Sequence, residues 1–398
     1  MPKITVADVD IIGKRVLLRA DLNVTFTPNT NIISDDSRIQ AVMPTIDYLR
    51  SNGAKIILCS HLGRPKGRVV EDLRLTSVAD RLKELITDGF SYVNDVIGTA
   101  VESEVNDMRE GDVLLLENLR FYPGEESNDP EFAKGLSRLA DGYVNDAFGA
   151  AHRAHASVHA IAQFLPAVAG FQMSREIEML GSVLNNPQRP LLAVMGGAKV
   201  SDKILVLQNL IGSIDRLIIG GGMAATFLKA LGYEMGKSLI EEDRLDLVKL
   251  ALTEAKDRGV NVVLPEDFVV ARGFFEEADP VIVKFDQVPT DGFIMDIGPS
   301  TLEKFKMSIL GSKTVIWNGP MGVFEWASFN KGTAAVAIAI ADLKSATTVV
   351  GGGSTAEAVE VFGVSERMSH VSTGGGASLE FMEGKELPAV AVLPDREN

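Results

Sequence analysis

The run LLAVMGGAKVSDK, Leu191 to Lys203, decides how the rest of this chain of 398 residues is read. Its aliphatic start, Leu191 to Met195, has the length of a buried strand and stops at the pair Gly196-Gly197. Beyond the pair lie Lys199 and Lys203, four apart, then Ile204, Leu207, Leu210 and Ile211 at helical spacing. Strand, glycine turn and helix in that order leave backbone N–H groups unpaired at the mouth of a parallel sheet, where the helix dipole favours an anion. Two ammonium groups on one helical face near that mouth would suit a polyphosphate. An ordinary βα turn with solvated lysines explains the same residues, so this segment alone leaves both readings open.

Outward from that run, the pattern repeats. In the first half, Arg15 to Arg19 reads as a strand ending in Asp21-Leu22-Asn23-Val24. A helix from about Asp36 to Asn52 carries Ile39, Val42, Met43, Ile46 and Leu49 and stops at Gly53. Strand Lys55 to Ser60 runs into His61-Leu62-Gly63-Arg64-Pro65, and a helix over Thr76 to Thr87 takes Thr76 as its cap. Asp112 to Glu117 ends in Asn118-Leu119-Arg120-Phe121, and Tyr143 to Asp146 leads to His152-Arg153. A helical stretch, Met173 to Leu184, closes at Asn185-Asn186-Pro187 and connects the halves. The second half places strands near Leu191, Leu217, Val262, Val315 and Val349, several ending in glycines: Gly220-Gly221-Gly222, Gly351-Gly352-Gly353 and last Gly374-Gly375-Gly376. Strand alternating with helix predicts right-handed βαβ units and an α/β fold with parallel sheets, whose ligands bind at the strands' carboxyl ends.

Composition narrows the function classes. The net charge is −15; Met1–Asn185 holds 19 basic and 26 acidic residues, so that part is at −7 and the remainder at −8. Neither half is a basic body, which argues against nucleic-acid or membrane-surface binding. An anionic substrate must then be held by a local arginine cluster. The single Cys59 excludes an internal disulfide, and the start, MPKITVADVD, has no apolar signal region. A cytoplasmic protein of two domains is expected.

Arg64, Arg120 and Arg153 each follow a strand end, with Arg38 near a helix start and His61 beside them. Guanidinium groups converging on one mouth would hold a small molecule of more than one negative charge; four unrelated surface arginines would suit any one of them singly. His152, His155 and His159 lack the glutamate of a zinc-protease helix, and packing suits them better than metal. Both Gly220–Ala225 and Gly351–Ala356 match G-x-G-x-x-A, but the acid that would hold a dinucleotide's ribose is missing. After Ala225 the acids at that distance, Glu241 to Asp243, read as a helix start. No phosphate-binding loop ending in Gly-Lys-Ser/Thr is present, and Ser354 with Glu357 reads as a capping box. Trp317-Asn318-Gly319-Pro320-Met321-Gly322-Val323-Phe324-Glu325 suits a nucleoside's sugar and base edge, or a plain loop.

Together RADLNV (Arg19–Val24), DSRI (Asp36–Ile39), SHLGRP (Ser60–Pro65), ENLRF (Glu117–Phe121), NDAFGAAHRAHAS (Asn145–Ser157), MGGAKVSDKI, GGGMAATF, WNGPMGVFE and STGGGASLE closely resemble phosphoglycerate kinases, over essentially the whole chain. The resemblance implies two Rossmann-like three-layer αβα lobes facing each other across a cleft. Residues 1–171 would form a phosphoglycerate-binding lobe joined by a tail from about 379 to 398, residues 172–187 the interdomain helix, and 188–378 the nucleotide-binding lobe. By likeness, 3-phosphoglycerate or 1,3-bisphosphoglycerate is held by Asp21, Asn23, Arg38, His61, Arg64, Arg120 and Arg153. Magnesium-ATP or -ADP is held by Gly197, Ala198, Lys203, Gly221, Gly222, Asn318, Glu325, Gly351, Gly352, Gly353, Ser354 and Thr355. Arg38 and Lys199, with the amides of Gly374, Gly375 and Gly376, would act on the phosphoryl group in transfer. A monomer is expected. Two departures stand out: Ser354 occupies the position where the family usually has a magnesium-binding aspartate, and Thr25 replaces a usual proline.

Overall fold

Short aliphatic runs such as RVLLR and KIILC become strands covered on both faces, the pattern of a parallel sheet between helical layers. In the computed structural model, which describes residues 2–396, the chain forms two compact units. One comprises Met1–Glu178 with Glu386–Asn398, the other Met179–Lys385.

The first unit is built on β1 (Arg15–Arg19), β2 (Lys55–Cys59), β3 (Phe90–Tyr92), β4 (Val113–Leu115), β5 (Gly142–Asn145) and β6 (Ala167–Ala169), ordered β3-β4-β2-β1-β5-β6 and parallel throughout. Helices Ser37–Ser51 and Thr76–Leu85 press Ile39, Val42, Ile46, Val78 and Leu82 onto Val16, Leu18, Ile56 and Leu58. The second unit repeats the plan. Strands β7 (Leu191–Met195), β8 (Arg216–Ile219) and β9 (Asn261–Val263) are followed by a separate antiparallel sheet of β10 (Asp267–Ala271), β11 (Val281–Lys284) and β12 (Phe293–Ile297). The parallel sheet then resumes with β13 (Thr314–Asn318), β14 (Thr347–Gly351) and β15 (His370–Val371), in the order β9-β8-β7-β13-β14-β15. Trp317, Phe305, Leu192 and Val194 lie in its core. Each unit is a three-layer α/β structure with a parallel sheet.

Several local expectations shift. Thr76 is the first helical residue, with Leu75 at the cap, and that helix ends at Leu85. The connecting helix runs Phe171–Asn185. The antiparallel sheet breaks the expected strand–helix alternation of the second half. The chain returns to the first unit only at Glu386, because helix Gly376–Met382 packs on helix Ile204–Ile211, where Asn209 Nδ2 donates to the Met382 carbonyl at 2.8 Å. Once returned, the tail pairs with the first residues: the Ile4 amide donates to the Pro394 carbonyl at 3.0 Å, and Lys3 meets Asp395 at 2.8 Å.

Candidate active-site residues in the two units

In the first unit, the loops after β1, β2, β4 and β5 leave the carboxyl ends of neighbouring strands, where the strand order reverses around β1. Arg38, in the first turn of its helix, donates from Nη1 to Asp21 Oδ2 at 2.6 Å. Asn23 Oδ1 accepts the Gly63 amide at 2.8 Å, which ties the β1 loop to the β2 loop. Arg120, 4% exposed, donates from Nη1 to the Gly63 carbonyl at 2.7 Å, and its Nε lies 3.4 Å from Glu126. Burial first, then Arg19 and Arg153, lowers its pKa to about 10. Arg153 donates from Nε to His152 Nε2 at 3.1 Å. Arg64 is exposed at the end of the same cluster of loops.

His61 reports how tightly the cations gather. Its pKa lies well below the ordinary histidine value, through burial and then through Arg19, Arg120, Arg38 and Arg153. Its Nδ1 is 3.2 Å from Nη2 of Arg19; a guanidinium can only donate, so Nδ1 accepts and the neutral ring carries its proton on Nε2. The structure therefore brings Arg38, Arg120 and Arg153 near His61.

Arg19 was passed over as the end of a strand, yet it is fully buried. It donates from Nε to Ser157 Oγ at 2.9 Å and also to the Ala20 carbonyl. The Ser157 hydroxyl in turn bonds Glu125 Oε1 at 2.6 Å, so a buried carboxylate closes the network. The sequence signal was a cation directly after four apolar or basic strand positions, where a surface residue is out of place. His155, whose pKa burial and the neighbouring arginines lower to about 4, lies 3.9 Å from Glu125; His159 Nδ1 lies 3.1 Å from Asn128 Nδ2. Among the described residues no group of three or more His, Cys, Asp or Glu side chains is placed to hold a metal.

In the second unit the strand order reverses around β7 and β13, and there a cavity of about 650 Å³ opens. Its walls include Gly197, Ala198, Asp202, Lys203, Gly221, Gly222, Lys237, Pro320, Met321, Gly322, Glu325 and Ser354. Glycine is required here by close approach of backbones. A Cβ on Gly221, whose φ is +62°, would stand 2.6 Å from the Gly197 amide nitrogen. The Gly196 and Gly197 amides donate to the carbonyls of Asn318 and Pro320 at 2.9 and 2.8 Å, which staples the two loops together. Lys203 is partly buried, and burial lowers its pKa against the opposing pull of Asp202.

The two lysines do not share a helical face. Helix Ile204–Ile211 starts after Lys203, and Lys199 is exposed in the irregular turn before it. Thr355 takes a supporting part: its buried Oγ1 accepts the Gly319 amide at 2.6 Å. Asn318 is buried beside Gly351 and Gly352, and its Nδ2 has no hydrogen-bond partner among the described residues, a donor left for a ligand. The capping box is absent, because the cap of helix Gly353–Val361 is Gly352, at φ +89°, two residues before Ser354, so Ser354 sits inside the first turn and lines the cavity. Gly375, at φ +51°, precedes the seven-residue helix Gly376–Met382, and the Gly374 amide donates to Ser372 Oγ at 3.1 Å.

The antiparallel sheet, unread in the sequence, supplies the apolar wall. Phe293, Ile294 and Met295 of β12 line the cavity with Phe274, whose ring lies 5.1 Å from Trp326. Behind that wall Asp296 is 1% exposed and accepts the amides of Gly332 at 2.7 Å and Ile297 at 2.9 Å. Burial prevails over those bonds and lifts its pKa to about 7.

Comparison with known proteins agrees with this architecture. A family model described as phosphoglycerate kinase matches residues 6–385. A protein named phosphoglycerate kinase from Dictyoglomus turgidum is 54% identical, with all of both chains covered. Solved structures of phosphoglycerate kinase from Coxiella burnetii (40% identical, TM-score 0.88) and Pyrococcus horikoshii (34% identical, TM-score 0.85) each match over 98% of both chains.

Proposed function

This chain belongs to the phosphoglycerate kinase family, and from that premise we propose how its residues divide the work. The reaction is the reversible transfer of the acyl phosphate of 1,3-bisphosphoglycerate to ADP, giving 3-phosphoglycerate and ATP. Little covalent chemistry is asked of the protein in such a transfer; positioning and neutralisation of spread negative charge carry it.

On our reading the first unit holds the phosphoglycerate. Arg38, Arg64, Arg120 and Arg153 neutralise its phosphate and carboxylate, and His61 offers Nε2–H to an oxygen. Asp21 aims Arg38, and Asn23 fixes the β2 loop that bears His61 and Arg64. The second unit holds ATP or ADP: Gly197, Ala198, Gly221 and Gly222 let the phosphates approach backbone amides, and Lys203 supplies charge. Glu325 suits the ribose hydroxyls and Phe274 with Phe293 the base. Asn318 and Gly351 to Thr355 shape the phosphate end. Lys199, Arg38 and the amides of Gly375 and Gly376 meet the phosphoryl group in transfer.

Magnesium fits this donor set as part of the nucleotide. Asp202 and Glu325 are the carboxylates on the cavity and Ser354 adds a hydroxyl; Mg²⁺ is commonly held by one or two carboxylates with substrate phosphates and water. Bound there, it would lower the negative charge on the nucleotide phosphates. Among the described residues no helix is long and apolar enough to cross a membrane, and the one cysteine is buried. We read the protein as a cytoplasmic monomer that binds no nucleic acid.

The observation that carries the nucleotide assignment is the glycine-walled cavity at the β7/β13 reversal. A coupled assay with 3-phosphoglycerate and magnesium-ATP tests the whole: turnover dependent on both substrates is expected, and its absence in the folded protein refutes the proposal.

A further inference from the structure

Glu241 stands near the distance at which a dinucleotide fold would place its ribose acid, but the structure gives it other neighbours. Its Oε2 accepts the amides of Val200 at 2.5 Å and Ser201 at 3.0 Å. Its own amide donates to Oγ1 of Thr226 at 3.3 Å, and Thr226 is buried within helix Met223–Ala230. The two amides it holds lie between Lys199 and Lys203, in a stretch from Gly196 to Lys203 that contains no helix or strand of its own. Burial opposes the charge on Glu241, yet bonds from the Ser201 hydroxyl and from both amides outweigh it and keep the pKa below the usual glutamate value, with Arg244 adding to them.

A carboxylate this near a phosphate-binding loop repels the ligand, so its presence requires a compensating service. That service is geometric. One charged oxygen shared by two consecutive amides makes charge-assisted bonds, stronger than neutral ones, and anchors an otherwise irregular turn to a buried helix. We propose that Glu241 is a positioning residue: it fixes the 196–203 loop so that Gly197, Ala198 and Lys203 present themselves to the nucleotide phosphates, without touching the ligand. The inference rests on the reading of that loop as the phosphate end of the nucleotide site.

Native-state hydrogen exchange and ADP binding, measured on the full chain, test it. In Glu241→Gln the Val200 and Ser201 amides should exchange about tenfold faster, while amides of β7 and β8 hold. The Kd for ADP should rise about tenfold, the loss expected for one weakened bond to a charged group. The KM for 3-phosphoglycerate should stay put. Thr226→Val, nearly isosteric, frees the anchor of Glu241 and should move both readouts the same way by less; it decides the matter if Glu241→Gln does not fold. Wild-type protein that binds no ADP overturns the nucleotide reading and this inference with it. Wild-type protein that binds ADP, beside a folded Glu241→Gln with the same exchange and the same Kd, overturns the inference alone.

Discussion

Replacing Asp296 by asparagine separates the cost of burying a charge from the value of the shape that carries it. The carboxyl lies behind the cavity wall at 1% exposure with a pKa lifted to about 7, against 3.8 for an ordinary aspartate. The sign follows from proton counting. Between those values the folded protein binds a proton that the unfolded chain has released, so stability falls as pH rises from about 4 to about 7 and is level beyond. From pH 5 to the folded pKa is about two pH units, so wild type should lose roughly 3 kcal/mol that Asp296→Asn does not lose. Urea melts of both proteins at pH 5 and pH 8 measure this, and taking the variant against wild type cancels every other titrating group, Asp146 included. The variant starts with a handicap, because Gly332 and Ile297 each donate to a different oxygen of Asp296, and the asparagine nitrogen that replaces one of them cannot accept. That handicap is the same at both pH values. A stability difference between the two proteins that does not change from pH 5 to pH 8 would refute the claim that burial governs this carboxyl.

Three further outcomes follow from the two ligand sites. Arg38→Ala should lower kcat by orders of magnitude while the Kd for ADP holds, as isothermal titration and steady-state assays would show; an unchanged kcat contradicts its role at the transferring group. Gly221→Ala should abolish measurable ADP binding, since its Cβ would stand 2.6 Å from the Gly197 amide nitrogen at a φ of +62°. Binding of 3-phosphoglycerate, followed by fluorescence or calorimetry, should persist in that variant. Ser354→Asp should shift the magnesium dependence of turnover to lower concentration, because a carboxylate is a better ligand than a hydroxyl for a hard cation; an identical magnesium titration would sink the idea.

What could be read before the structure was whatever burial writes into a local pattern. RVLLR, KIILC and LLAVM are largely apolar, so their places as inner strands of parallel sheets were legible, and with them the strand ends that carry Asp21, Arg64 and Gly197. Strand β11 was not: three of its four residues are exposed, so VIVK carries no alternation that marks a buried face, and the sheet that walls the cavity went unread. The placing of Lys199 and Lys203 on one helical face failed for a different reason. The turn before helix Ile204–Ile211 is held by Glu241, far along the chain, and no local spacing encodes that bond. The capping box at Ser354 failed because Gly352, at positive φ, caps the helix two residues sooner. Arg19 was hidden by its good manners as a strand end; only the buried Ser157 and Glu125, brought in from later loops, reveal it as an interior cation.

The pairing of Ile4 with Pro394 and of Lys3 with Asp395 bears on the order of assembly at the ribosome. Everything the second unit needs lies in one continuous span, Met179 to Lys385, so its folding waits on no residue outside that span. The first unit emerges earlier and is completed later. Its opening residues must wait, unlatched, for the stretch from Glu386 onward, so the part of the protein made first cannot be completed until the whole of the second unit has been made.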